Sequence, residues 1–306
     1  MPTLQELSVE YAHRQPHQVD HILSRAPILA AVPWEESSHD LWNVYSEVTH
    51  ADSAEFVDLD SPLPELDAGT ALKKQDLSIM GGTMYVGEDK ARLLGSAARA
   101  FSQKLPAILQ KTGMTTEKAI LYRNLLTYAI AQRRAGDTER VIDAGGTDNL
   151  FVLIAVRWIP GETTGLYSPK GFNQGALLNA KRINGGNLHK INDEGVLGYG
   201  MRLKNYFGFQ IATPESVAAI VNISASKVPT AMQVDDLLDA VDADNGNTFL
   251  YCHSKVKTFL RKHKNEIVTM DVKNRHIDRR LETWNDVPFI PSRNFNKGTE
   301  QKVTFS

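Results

Sequence analysis

Residues 150–158 read LFVLIAVRW, and only Arg157 among them is polar. A run this rich in β-branched and aromatic side chains meets the requirement of a buried strand. Its borders are equally definite. Gly145-Gly146 gives the freedom in φ that a sharp entry turn needs. Pro160-Gly161 closes the strand, and Gly165-Leu166-Tyr167 leads to a stop at Pro169-Lys170-Gly171. Residues 141–171 therefore read as a turn, a long apolar strand, a second turn and a short strand. Nothing in this stretch makes a nucleophile, a metal cage or a phosphate cradle.

The flanking pattern mixes helices with antiparallel strands. Thr3 and Glu6 form a capping box for a short helix through Tyr11; Pro16 interrupts it, and one or two helical turns follow from His17 to Arg25. Trp42, Val44 and Val48 share one face of a strand over 41–49, and residues 72–80 make the returning strand. Ser61-Pro62-Leu63-Pro64 is a stiff tip between them, and Gly81-Gly82 is a hinge. Ala91, Leu94, Ala98, Phe101 and Leu105 make one helical stripe that Pro106 bends or ends. Thr115 then caps a second helix, which buries Ile120, Leu121, Leu125, Tyr128 and Ala129 and stops at Gly136.

Further on, Met201, Leu203, Phe207, Phe209 and Ile211 alternate, broken only by Asn205, as in a long half-buried antiparallel strand. Residues 217–223 suit a strand or a helix. Thr230 precedes a helix carrying Val234, Leu237, Leu238 and Val241. Residues 249–252 form a strand, and Ser254 caps a basic helix through Lys264. Strands around 287–290 and 303–305 end the chain. These elements do not alternate as βαβ units, so the class is α+β and neither a Rossmann fold nor a barrel.

Bulk properties narrow the function by exclusion. A chain of 306 residues suits one large or two small domains. The single cysteine, Cys252, excludes an internal disulfide and fits a reducing cytosol. No apolar run approaches the roughly 20 residues that cross a bilayer. The N-terminus lacks the basic start and apolar core of a signal peptide, so synthesis and assembly in cytoplasm are expected.

Several groupings suggest chemistry and fail on spacing. His13, His17 and His21 lie four apart, but Pro16 interrupts them and no carboxylate or cysteine completes a metal site. Gly195, Gly198 and Gly200 precede a strand without leading into a helix, which is the wrong setting for a dinucleotide. Residues 242–246 begin like a calcium loop, yet the twelfth position is His253 where a bidentate Glu belongs. Cys252 and His253 are neighbours in a strand and point to opposite faces, so they cannot act as nucleophile and base. Asp58 and Asp60 would serve a hydrolase, but they sit in an exposed Pro-rich segment where nothing tunes them.

The order of motifs resembles the major capsid proteins of short-tailed bacteriophages with the Hong Kong 97-type fold. The carriers are Ile142-Asp143-Ala144-Gly145-Gly146-Thr147 with Asp148-Asn149, then Val156 to Gly171, then the long strand that follows. Pro27-Ile28-Leu29 to Pro33-Trp34, Asn247 to Asn265 and Asp286 to Pro291 are similar to other segments of that family. Between residues 82 and 136 only helical character matches. The resemblance implies an N-terminal arm (1–37), an extended E-loop hairpin (38–82), a mainly peripheral domain with a spine helix and long strands (83–224), and a mainly axial domain returning to the peripheral one (225–306). The spine is placed in the helix from residue 115. The implied role is non-enzymatic: pentamers and hexamers of an icosahedral phage head enclosing double-stranded DNA. No cofactor or metal is implied. Portal, scaffolding and decoration proteins are further partners, packaged DNA is touched non-specifically at most, and no membrane is involved. Another virion part, such as a decoration or tail-tube protein, is the alternative, and a cytosolic hydrolase is a more distant one.

Charge gives the implied hairpin a mechanism. Residues 1–85 hold fourteen Asp and Glu against four Lys and Arg, while the whole chain sums to −2. Everything after residue 85 is therefore net basic. Glu47, Asp52, Glu55, Asp58, Asp60, Glu65 and Asp67 make an acidic E-loop that would contact the next subunit. The body offers Lys255, Lys257, Arg261 and Lys262 as a basic face, turned to a neighbour's acidic arm or to DNA. Gly81, Gly82, Gly145, Gly146, Pro169, Lys170 and Gly171 are the expected hinge and turn residues of the contacts.

Overall fold

In the computed structural model the described residues are 26–54, 56, 63, 65–168, 179–244, 246–263 and 283–305. Ile28–Ala31 (α1) is one helical turn and leads into Trp34–Glu36 (β1). Trp42–Ala51 (β2) and Ala68–Asp76 (β3) pair antiparallel as a two-stranded hairpin. Ser78–Gly87 (β4) follows after Leu77, and then the short Glu88–Leu93 (α2). Ala97–Ala119 (α3), a π-helical turn over Ile120–Leu126 and Thr127–Arg134 (α4) join without a break into one rod. At 1.5 Å per residue that rod is roughly 57 Å long.

The remaining strands build two sheets. They are Val141–Asp143 (β5), Phe151–Arg157 (β6), Thr163–Tyr167 (β7), Asn179–Arg182 (β8), His189–Lys190 (β9), Leu197–Ile211 (β10), Val217–Ile223 (β11), Thr248–Cys252 (β12), Thr283–Trp284 (β13) and Val287–Pro291 (β14). The helices Ala231–Ala240 (α5) and Ser254–His263 (α6) flank β12 in sequence. The first sheet has the order β1-β7-β10-β4, with β8 and β9 also on β10. The second has the order β13-β14-β12-β6-β11-β5.

The buried strand of the opening motif lies at the centre of this second sheet, and its two faces serve two cores. Val152, Ile154 and Val156 join the cluster that holds Ile120, Leu121 and Leu125 of the rod. Phe151, Leu153 and Ala155 join the one that holds Val234 and Leu237 of α5 and Val256 and Leu260 of α6. A strand covered on both faces cannot alternate apolar with polar, which is why 150–158 reads as one apolar run.

The arm that precedes the hairpin is folded into the body. Ala26, Ile28, Leu29 and Val32 are completely buried. Trp34 lies in the first sheet with its ring 5.4 Å from that of Phe207 and 5.6 Å from that of Phe209. A Cβ on Gly165 would come within 2.7 Å of the Trp34 ring, so the glycine makes room for the indole.

Some boundaries differ from the sequence reading. Pro106 neither ends nor divides the helix; it sits inside α3. The proline removes one N–H from the ladder, but Phe101, Leu105 and Leu109 stay buried on either side of it, and this packing outweighs the loss. The rod begins after Ser96, whose hydroxyl accepts from Arg99 N at 3.1 Å. Thr115 is an interior residue whose hydroxyl donates to Lys111 O at 3.0 Å, so it is not a cap. Ser254 is the first residue of α6, and His253 takes the cap role by accepting Lys255 N–H on Nδ1 at 3.1 Å.

Residues 303–305 form no strand. Asn222 pairs with them from its side chain instead: Val303 N donates to its Oδ1 at 2.9 Å, and its Nδ2 donates to Val303 O at 2.8 Å. The residue 224/225 division also does not follow the sheets. β5, β6 and β11 lie before it yet belong with β12 and β14 after it. The chain enters this layer, leaves it for the long strand β10 and returns. The capping box at Thr3, the helix at 17–25 and His13, His17 and His21 lie outside the described residues.

Candidate assembly surfaces

The hairpin is held by a short root. Leu77 N donates to Leu41 O at 2.8 Å, and Asn43 Nδ2 donates to Gln210 Oε1 at 2.7 Å. His39 stacks on Trp42 with centroids 3.5 Å apart, and Lys74 lies over the Trp42 ring at 5.4 Å. Beyond the root, among the described residues β2 and β3 pair only with each other, with a bulge between Val48 and His50. Leu72 is 79% exposed, Phe56 and Leu63 are fully or mostly exposed, and Leu66 is 54% exposed. A lone two-stranded ribbon is marginal in water, and this one leaves apolar side chains in solvent.

The predicted acidic contacts map onto it unevenly. Asp52, Glu65 and Asp67 are exposed where the described strands end. Asp52 N donates to Asp67 O at 2.9 Å, and Asp67 N donates to Asp52 Oδ2 at 3.0 Å, which closes the ladder. Glu47 stands in β2 opposite Ala71. Glu55, Asp58 and Asp60 lie outside the described residues, as do Pro169, Lys170 and Gly171.

The glycine expectations divide. Gly145 (φ 78°) is in a turn, its N–H donating to Asp143 Oδ1 at 2.8 Å, while Gly146 N donates to Asn222 O at 2.9 Å. Gly81 and Gly82 are not in a turn. They lie inside β4, opposite Lys204 and Leu203 of β10. A Cβ on Gly81 would stand 2.4 Å from Leu203 O, so close strand approach explains the residue. The break between hairpin and body falls at Leu77, which is buried and ends the β3 pairing.

The basic helix α6 buries Val256 and Leu260 and exposes Lys255, Arg261 and Lys262, with Lys257 half-buried. Next to it, burial pushes the Cys252 thiol up to about 12, which leaves it without thiolate character near neutral pH. Burial lowers the pKa of His253, in keeping with a neutral ring that accepts the Lys255 N–H.

Two features escaped the sequence reading. Glu117 on the rod is completely buried. Its carboxylate accepts from Ile28 N at 2.9 Å, from Asn294 Nδ2 at 2.9 Å and from Ser292 Oγ. Desolvation raises its pKa although these donors oppose the shift. One carboxylate thus fastens the arm, the rod and the segment after β14 together. The second feature is a groove of about 570 Å³ where the rod faces residues 293–297. Lys111, Lys118, Arg123, Arg293 and Lys297 line it, and among the described residues none that lines it is acidic. Both features join residues far apart in sequence, 89 and 175 positions at the Glu117 site, and no local pattern announces such a meeting.

A family model described as "Major capsid protein GP7" matches residues 19–304. Among solved structures, that of bacteriophage Epsilon15 aligns with a TM-score of 0.57 at 13% identity, covering 85% of this chain and 84% of that one. The bacteriophage JBD30 capsid aligns with a TM-score of 0.49 at 11% identity, covering 87% and 89%. Among curated proteins none matches. The fold is the α+β Hong Kong 97-type capsid fold, and the rod, the long strand β10 and the two-stranded hairpin are its recognisable parts. Because the family model spans almost the whole sequence, the chain belongs to the GP7 family of major capsid proteins.

Proposed function

We propose how this major capsid protein, which forms an icosahedral phage head, closes its shell. Pentamers and hexamers are held by the β2–β3 hairpin of each copy lying on the body of the next, around double-stranded DNA. The observation that carries this reading is the bareness of the hairpin: it exposes Leu66 and Leu72 and, among the described residues, pairs with no other strand. A surface of that kind gains stability when a second molecule covers it. A head-to-tail contact closes into rings, whereas a self-complementary patch closes into dimers.

Charge supports the same arrangement. The acidic end of the chain meets a net basic body, and complementary fields chiefly set association rate and register. In this reading the rod and the first sheet form the peripheral domain, and the second sheet with α5 and α6 forms the axial one. Each contact is modest, and many made together hold the shell. Gly145-Gly146 and the 169–171 loop belong to the contact surface, and α6 offers its cations to a neighbour or to DNA. Portal, scaffolding and decoration proteins are further partners, and assembly takes place in the host cytoplasm before the protein resides in the virion.

Light scattering of the purified chain at rising ionic strength tests the steering. Assembly slows as salt screens the hairpin from the body. A rate indifferent to salt overturns the electrostatic part, and electron micrographs without rings or shells overturn the hairpin contact.

A further inference from the structure

We infer that the basic groove beside the rod receives the Glu65-Leu66-Asp67 edge of a second copy's hairpin. The inference rests on the reading that the hairpin leaves its own body, and it names the receiving site. The groove is chemically double. Met114, Tyr122 and Phe295 give it an apolar lining, and five cations share its walls. Among the described residues none of the five forms an ion pair. Lys118 is directed at the loop opposite, donating to Asn296 Oδ1 at 2.8 Å. The nearby Glu300 accepts from Tyr122 and Asn296 and, among the described residues, forms no ion pair with any of the five.

The hairpin edge has the complementary composition. Glu65, Leu66 and Asp67 are consecutive and all exposed: acid, apolar, acid. Leu66 on the apolar lining would leave each carboxylate near a cationic wall. A nucleic-acid backbone offers anions without an apolar group, so it leaves the Met114 and Phe295 surface unused. The pairing is heterologous, since each copy has both an edge and a groove, and it therefore propagates around a ring.

The test uses the full chain with a photo-crosslinking residue in place of Leu66, co-assembled with isotope-heavy wild type, and mass spectrometry of the linked peptides. The expected result is an adduct that crosses the label and falls within residues 111–123 or 293–297. An adduct that crosses the label but falls elsewhere, or no adduct in assembled shells, overturns the groove while the hairpin reading stands on its own evidence. An adduct confined to one chain overturns both. A paired experiment reverses charge. Lys118→Glu with Arg293→Glu slows assembly about tenfold, and adding Glu65→Lys with Asp67→Lys restores the rate. Failure of the swap to restore assembly, with each variant still folded by circular dichroism, counts against the groove. Lysine labelling of Lys118 blocked only in DNA-filled particles, and equally open in free chain and empty shells, assigns the site to nucleic acid and overturns the proposal.

Discussion

The central strand of the second sheet and the β2–β3 hairpin are both made of extended chain, yet they are opposites. β6 has a neighbouring strand on each edge and a packed core on each face. The hairpin strands have one partner each and leave Leu72 79% exposed. The first region stabilises the subunit alone. The second, in the proposed reading, is completed by another molecule. A subunit that must fold before it assembles has reason to keep the two apart, because a hairpin that satisfied itself would have nothing left to offer a neighbour. Substitutions in the two regions should therefore divide cleanly between folding and assembly.

The largest effect on folding is expected at Ile154, which is completely buried in the middle of β6. Truncation to Ala leaves a cavity against the rod and should destabilise the subunit by about 2–5 kcal/mol, read from urea midpoints. A loss below about 1 kcal/mol would mean that the rod can collapse onto the sheet, and the contrast with the hairpin would weaken.

Glu117 extends the comparison to polar groups, because here the covered region buries a charge. Glu117→Gln keeps an acceptor for Ser292 and Asn294 but turns an amide donor toward the N–H of Ile28. The expected destabilisation is about 1–3 kcal/mol. The pH dependence has a definite sign. A carboxyl group whose folded pKa is raised favours the folded state fully below its unfolded value, and that contribution is lost as pH rises through the folded value. Stability of the wild type should thus decline upward from about pH 4.5 through this term, and the decline should be absent in Glu117→Gln. Parallel pH profiles for the two proteins would show that the carboxylate does not titrate in that range.

These two residues also show what was legible in the sequence. Ile154 could be read as core because its neighbours are apolar on both sides in sequence, and a buried strand leaves that mark. The alternation of β10 and the helix after Thr230 were visible for the same local reason, and the structure adds the capping box of Thr230 with Gln233. Glu117 was invisible. On a helix of mixed composition it looks like any solvated acid, and its donors come from Ile28 and from Ser292 and Asn294. The rod was misread as two helices because Pro106 is a strong local signal that only tertiary packing can overrule. The groove was hidden in the same way, whereas the acidity of the hairpin was plain because it is a property of contiguous chain. Local chemistry was readable, and meetings between distant segments were not.

Asn222 tests a joint between these levels. It holds a left-handed backbone, φ 55°, at a bulge in β11 and binds Val303 through both ends of its amide. Asn222→Ala removes both of these hydrogen bonds, together with the one its Nδ2 donates to Asp143 Oδ1 at 2.8 Å, and places a residue ill-suited to that backbone, so a loss of about 1–3 kcal/mol is expected. Proteolysis should then clip the chain after residue 300 faster than in the wild type, while cleavage within the second sheet stays slow. Equal rates would mean that the 303–305 segment is held by other contacts, among them Arg133 over the Phe305 ring at 4.5 Å.

The smallest effect on folding should come from Leu72, and it makes the sharpest test of the comparison. Leu72 is a large apolar side chain on a strand, which in β6 would make it indispensable. In the free subunit Leu72→Ser should change stability by no more than about 0.5 kcal/mol, because the side chain is already in water and removing it exposes nothing. If a neighbour covers it in the shell, the same substitution raises the protein concentration needed for assembly, since the lost apolar burial recurs at every copy. The two measurements have to disagree. A variant that folds and assembles like the wild type would leave the bare hairpin without a purpose, and one that unfolds would show that the hairpin had been supporting its own body from the start.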